Sequence, residues 1–99
     1  MIHLDKEDFK ELISKGNKLA DFYAEWCGPC KMMGEVLENI DDKIDIIKVD
    51  IDKFDSIAEE YRIMSIPTIM LFKDGEKLNE TVGYIPEEEL LKLIEETFK

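Results

Sequence analysis

The residues with the most evident chemical capacity are Cys27 and Cys30, separated by Gly28 and Pro29. They fall where an apolar, strand-like run from Lys18 to Ala24 gives way to a helical pattern starting near Gly28. Cys27 therefore sits at a helix N-terminus, among unpaired backbone amides and partial positive charge. That setting favours thiolate, the form that attacks disulfides. An i to i+3 separation in a first helical turn places the α-carbons within the roughly 4.4–6.8 Å that a disulfide spans, so the pair can open and close without refolding. Pro29 suits a first turn, where its missing N–H would be unpaired anyway, and Gly28 lets the chain bend between the sulfurs.

Two other uses of a Cys-x-x-Cys pair fit less well. Half of a zinc site would need further ligands of the Cys/His kind, and the chain offers no third cysteine and one histidine, His3, far off in sequence. No metal is expected. A purely structural bridge across so short a loop would constrain the unfolded chain little. The reading is a redox dithiol, kept available by a reducing compartment. Near it, Asp21 interrupts the apolar strand, and a carboxyl held there has a raised pKa suited to proton transfer close to neutrality, unless it lies at an exposed strand edge. Trp26, directly before Cys27, reads as a partly exposed aromatic that shields the pair and touches substrate.

The elements that must position these residues follow from periodicity. Phe9, Leu12 and Ile13 share one face and predict a helix over residues 5–15, capped by Asp5 and ended by Gly16-Asn17. The run from Lys18 to Ala24 reads as a central strand covered on both faces. Met33, Val36, Leu37 and Ile40 give the apolar stripe of a second helix, from about Gly28 to Asp41. Ile44–Ile51 is β-branched and strand-like, and Phe54, Ile57, Ala58 and Tyr61 stripe a short third helix. Ile66–Phe72 predicts a strand, Lys73-Asp74-Gly75-Glu76 a hairpin turn, and Lys77–Val82 the antiparallel return. Pro86 opens a last helix in its first turn, with Ile85 as a poor cap, Glu87, Glu88 and Glu89 at the positive end of the dipole, and Leu90, Leu91, Ile94 and Phe98 inward. Right-handed crossovers make the first long strands parallel, so the class is α/β, a mixed sheet between helices, with a short edge strand at residues 2–4.

Composition bounds the function further. The 99 residues, 44% of them hydrophobic, suit one domain with a single core and show no linker or repeat. Thirteen basic residues against twenty-four acidic ones give a formal charge of -11, which repels phosphate backbones and anionic membranes, so neither nucleic acid nor membrane is an expected partner. The start, Met1-Ile2-His3-Leu4-Asp5, lacks the basic and apolar pattern of a secretory signal, and the chain reads as cytoplasmic.

The segment Leu19-Ala20-Asp21-Phe22-Tyr23-Ala24-Glu25-Trp26-Cys27-Gly28-Pro29-Cys30-Lys31-Met32 resembles the active-site segment of the thioredoxin family. Ile66-Pro67-Thr68 resembles that family's second signature, Phe72-Lys73-Asp74-Gly75-Glu76 its hairpin, and Gly83 the glycine beyond it. The resemblance implies the thioredoxin fold, a five-stranded mixed sheet with four helices, in which the redox helix N-terminus, the Pro67 loop and Gly83 meet at one end. It implies a monomeric protein-disulfide reductase with no cofactor beyond its own disulfide. Cys27 is then the exposed nucleophile, Cys30 the less accessible resolving thiol, and a thioredoxin reductase the electron donor. Asp21 maps to a buried carboxylate that exchanges protons with Cys30 through water, and Lys48 to its basic neighbour on the adjacent strand. The resemblance also implies a cis Ile66-Pro67 bond beside the sulfurs, uncommon at about 5–6% of X-Pro bonds, with Ile66 backbone groups pairing to an extended substrate. By residue type alone Pro67 is strand punctuation, Gly83 either a turn or a point of close backbone approach, and His3 a surface residue without a role. One departure stands out: Gly34-Glu35 falls where many relatives bend the helix with proline, so the helix either runs straighter or flexes there. An oxidase or isomerase of thiols, and a non-catalytic binding module using the same surface, are the competing functions.

Overall fold

Strand residues alternate between the two faces of a sheet, and here that alternation sorts the core into two halves. The computed structural model describes residues 1–99. The strands are β1 (Ile2–His3), β2 (Asn17–Tyr23), β3 (Asp45–Asp50), β4 (Thr68–Lys73) and β5 (Glu76–Val82), in the sheet order β1-β3-β2-β4-β5. The helices are α1 (Phe9–Leu12), α2 (Gly28–Ile40), α3 (Asp55–Glu60) and α4 (Glu87–Thr97). β2 pairs parallel to β3 and antiparallel to β4, β1 pairs parallel to β3, and β4 and β5 form an antiparallel hairpin. The mixed sheet with four helices expected from the sequence is the observed architecture.

Ala20 and Phe22 of β2, Ile47 and Val49 of β3, and Met70 and Phe72 of β4 join Phe9 and Ile57 in one buried cluster under α1 and α3. The residues of opposite parity, Leu19, Ile46, Ile69 and Leu71, join Met33, Val36, Leu37, Ile40 and Leu90 under α2 and α4. Asp21 and Lys48 share the parity of Leu19 and Ile46, so both belong to the face covered by α2. At the hairpin, Asp74 (φ 49°) and Gly75 (φ 86°) occupy the two central turn positions, the left-handed pair a tight twisted hairpin requires. The ladder slips by one residue between Leu71 and Phe72, which lengthens β5 opposite.

Several strand ends shift by one residue from the sequence expectation, and three boundaries differ for an identifiable reason. The first helix is one turn, Phe9–Leu12, rather than residues 5–15, and Asp8, not Asp5, precedes it. The chain before it is held in the sheet, where the Leu4 N–H donates to the Lys48 carbonyl (2.9 Å), so Asp5 cannot begin a helix. β4 starts at Thr68 rather than Ile66, because Pro67 has no N–H for the ladder and Thr68 Oγ1 donates to the Ser65 carbonyl (2.5 Å) in a turn. At α4, Pro86 is itself the cap rather than the first helical residue: its backbone is extended (ψ 153°) while its carbonyl accepts from the Leu90 N–H (3.0 Å). Ile85, expected as the cap, packs on the core instead.

The one-turn α1 is held by its aromatic anchor. Phe9 makes edge-on contacts with Phe22, Tyr61 and Phe72 at centroid distances of 5.8, 5.3 and 5.8 Å. Phe9→Ala is expected to lower unfolding stability by about 3–5 kcal/mol, the range for truncating a buried aromatic, as measured by denaturant titration. A loss under about 1 kcal/mol would mean that α1 is not anchored through this ring.

Candidate active site

Where β2 leaves the sheet at Tyr23, the chain turns through Ala24–Trp26 and enters α2 with Cys27 as the cap residue. The cap is made by sulfur: the Cys30 N–H donates to Cys27 Sγ at 3.2 Å, and Pro29 occupies the first turn. Cys27 and Cys30 are joined in a disulfide with α-carbons 5.2 Å apart, inside the range that the spacing predicts. The pair is less open than the sequence expectation had it: Cys27 is 6% exposed and Cys30 3%, so both are buried and Cys27 is only marginally the more accessible. Gly28 and Pro29, between them, are exposed. α2 continues as one uninterrupted helix through Gly34 and Glu35.

The loop before β4 closes over the sulfurs. Cys27 Sγ lies 3.9 Å from the Ile66 carbonyl oxygen, and the Ile66-Pro67 bond is cis. Gly83, with φ 91°, donates its N–H to the Pro67 carbonyl (2.8 Å), which joins the exit of β5 to the same loop. A side chain would be strained at that φ. The redox turn, Ile66-Pro67 and Gly83 therefore converge at one end of the sheet, as the resemblance implied. Trp26 lies beside them, 70% exposed, its indole N–H donating to Asp52 at 2.8 Å.

Asp21 and Lys48 are direct cross-strand neighbours in the parallel β2–β3 register. Asp21 is fully buried, which excludes the exposed-edge alternative, and Lys48 Nζ stands 3.4 Å from its Oδ2. Neither Asp21 oxygen has a hydrogen-bond partner. Burial pushes the Asp21 carboxyl up to about 6, and the Lys48 ammonium offsets part of that rise. Lys48 also faces the Tyr23 ring, with Nζ 4.5 Å from its centroid. A cavity of about 310 Å³ opens beside Cys30, Lys48 and Gly34, and His3 on β1 lies at its rim.

Three participants in this arrangement escape a reading of residue types. Asp52, the partner of Trp26, lies 26 positions away and is one of many surface acids. Tyr23 looks like one more apolar strand residue, and His3 like a bystander. Only the sheet register places Tyr23 by Lys48, or His3 opposite Lys48. No group of three or more His, Cys, Asp or Glu residues is arranged to hold a metal ion.

A reducible cysteine pair capping the helix that follows the central strand, under a cis-proline loop, defines a dithiol–disulfide exchange protein of thioredoxin fold. The family model described as Thioredoxin matches residues 1–96. Thioredoxin of Staphylococcus epidermidis is 44% identical over 99 aligned residues, covering 96% of this chain and 95% of that protein. Thioredoxin of Staphylococcus aureus is 40% identical with the same coverage. Among solved structures, a mutant thioredoxin from Halobacterium salinarum matches with a TM-score of 0.90 at 35% identity, covering 99% of this chain and 90% of that one. The thioredoxin of Malassezia sympodialis matches at 0.86 with 36% identity, covering 96% and 90%. The chain belongs to the thioredoxin family and is a thiol–disulfide oxidoreductase, a protein-disulfide reductase.

The raised carboxyl has a consequence for stability. The folded pKa of Asp21, about 6, lies above its ordinary 3.8. Stability associated with the neutral acid is complete below the unfolded value and is lost as pH rises through the folded one. Asp21→Asn never ionises, so its stability relative to the wild type should grow by about 3 kcal/mol between pH 3.5 and 8, read from denaturant unfolding at both pH values. A difference independent of pH would show that Asp21 ionises as freely in the fold as in the unfolded chain.

Proposed function

We propose that all 99 residues act as one monomeric thioredoxin domain in the cytoplasm, with Cys27 the attacking sulfur and Cys30 the resolving one. In the reduced protein the Cys27 thiolate attacks a substrate disulfide, forming a mixed disulfide and releasing one substrate sulfur, which takes up a proton. The Cys30 sulfur, having lost its proton, then attacks Cys27 Sγ, closing the Cys27–Cys30 disulfide and releasing the second substrate thiol. Two electrons pass from the dithiol to the substrate. A thioredoxin reductase returns them, and the chain needs no cofactor of its own.

The observation that carries the assignment is the sulfur cap. Cys27 Sγ accepts the Cys30 N–H at the N-terminus of a 13-residue helix, where both the hydrogen bond and the dipole favour a thiolate on Cys27. Cys27 is also the sulfur beside the Ile66 carbonyl. In our reading an extended substrate pairs with the Ile66 backbone and is bordered by Trp26, Gly28, Pro29, Pro67 and Gly83. Asp21, with Lys48 holding part of its charge, takes the proton that Cys30 must lose, and its value of about 6 suits an acceptor near neutrality. The path between Asp21 and the sulfur is indirect, since no hydrogen bond reaches the carboxylate.

The helix-cap geometry speaks against a purely adhesive role for the same surface, since adhesion requires no stabilised thiolate. The test is trapping. Cys30→Ser should accumulate as a mixed disulfide with a model disulfide protein through Cys27, because no resolving thiol remains. Cys27→Ser should trap at least about tenfold less. The reverse pattern on non-reducing gels and peptide mapping would exchange the two roles.

A further inference from the structure

The Lys48 ammonium is held in an unusual way for a buried charge. Its side chain is 11% exposed, yet its carboxylate partner at 3.4 Å offers no hydrogen bond that would lock the pair in place. What surrounds the ammonium is the Tyr23 ring, 4.5 Å away at the centroid, and the backbone of α2 at Gly34, where a side-chain carbon would stand 3.5 Å from Nζ. A cation within about 6 Å of an aromatic centroid is attracted by the negative face of the ring, and more strongly where water is scarce. The strand geometry makes this contact reproducible. Asp21 and Tyr23 are two apart on β2 and share a face, and Lys48 is the register partner of Asp21 on β3.

We propose that Tyr23 is a positioning residue for the reaction: its ring face holds the Lys48 ammonium against Asp21. The inference rests on the reading of Asp21 and Lys48 as the proton-accepting pair. Tyr23 also packs against the cluster of Ala24, Cys27 and Cys30, and the effect proposed is the one it exerts through the place it gives Lys48. The phenol remains neutral while it does so, since burial, followed by the negative charges of Asp50 and Glu25, pushes its hydroxyl above the ordinary tyrosine value.

Other charges face the same space. They are His3 from β1, Glu25 from the exit of β2, and Lys31, Glu35 and Glu38 from α2. These five are exposed, so solvent and salt screen them, whereas Asp50 on β3, the register partner of Tyr23, is buried and its negative charge acts on the Tyr23 hydroxyl. Lys48 is the one cation among them that is both sheltered and within ion-pair distance of Asp21. From β4, the neighbour paired with Asp21 is Ile69, which has no charge. The Asp21 titration therefore reports chiefly on burial and on where Lys48 stands.

The experiment is a double-mutant cycle on the Asp21 midpoint, followed by carboxyl carbon-13 NMR in the disulfide form, which removes both thiols from the titration. Lys48→Met should raise the midpoint by about 1 unit, the lower end for losing an opposite charge at this distance. Tyr23→Leu, or Tyr23→Met where the leucine variant does not fold, should raise it by at least half as much. Tyr23→Phe, which keeps the ring face, should leave it close to the wild type. In the Lys48→Met background the Tyr23→Leu change should have no further effect. In the reduced protein, the pH profile for resolving a mixed disulfide should shift in the same order. A merely structural role for Tyr23 would instead lower stability without moving the midpoint, or move it equally in both backgrounds. Either result overturns the proposal while leaving the Asp21–Lys48 pair intact. If Lys48→Met itself leaves the midpoint unmoved, the pair reading fails and this inference fails with it.

Discussion

β2 is bonded along both edges and covered on both faces, and most of what is distinctive about this molecule follows from that placement. A strand so enclosed admits apolar side chains freely and polar ones only at a penalty. Its one carboxylate, on Asp21, is thus taken out of water entirely. Because β2 and β3 run parallel in a fixed register, the residue set against Asp21 is Lys48, on the same face and beneath α2. A slip of one residue would turn Lys48 toward the opposite cluster and strand both charges. The hydrophobic alternation that builds two cores also keeps this pair in register, so packing and chemistry depend on one pattern.

The value of such a pair differs from that of the surface ion pairs on the same chain. Lys77–Glu80 and Lys10–Glu60 join well-exposed groups and contribute little, because water and salt screen them. Asp21 and Lys48 are shielded, so their attraction is stronger, yet it does not fully repay the desolvation of the carboxylate, whose pKa stays raised. The fold tolerates that penalty at the centre of the sheet, where Asp21 is fully buried. The carboxylate that carries this penalty stands 3.4 Å from Lys48, which lines the cavity that borders Cys30.

The exit of β2 supplies the rest. A parallel strand followed by a helix brings the helix N-terminus to the strand's C-terminal end, and here a sulfur takes the place of the usual hydroxyl or carboxylate cap. The redox group and the structural cap are the same atom, so the hydrogen bond that fastens the first turn also stabilises the charge the reaction needs. The loop ending at Pro67 and the turn at Gly83 are tied to each other by a backbone bond and lie against the cysteine from the other side. Trp26 borders the site from a position set by Asp52, so the most exposed aromatic ring still has a defined orientation.

Much of this was legible in the residues themselves, because the signals are local. The Cys27–Cys30 spacing, the period-two run through β2, the period-3.6 stripe of α2 and the Asp-Gly turn each reflect forces acting within a few residues. Element class, the α/β order and the dithiol chemistry followed from them. What misled was also local: Asp5 looked like a cap and Ile66 like the first strand residue, because neither the sheet bond of Leu4 nor the turn at Thr68 is visible in a window of neighbours. The cysteines are nearly equally buried, and the residues packed against them, Tyr23, Ile51 and Ile66, come from different parts of the chain. The pairing of Asp21 with Lys48, the Tyr23 ring over that ammonium, His3 at the cavity rim and the Trp26–Asp52 bond all join residues of different elements. Sequence by itself determined which groups were available and what chemistry they could perform. Only the tertiary structure decided which stand together, because strand register and helix placement are set by burying two cores at once, a condition the whole chain must satisfy and no short segment expresses.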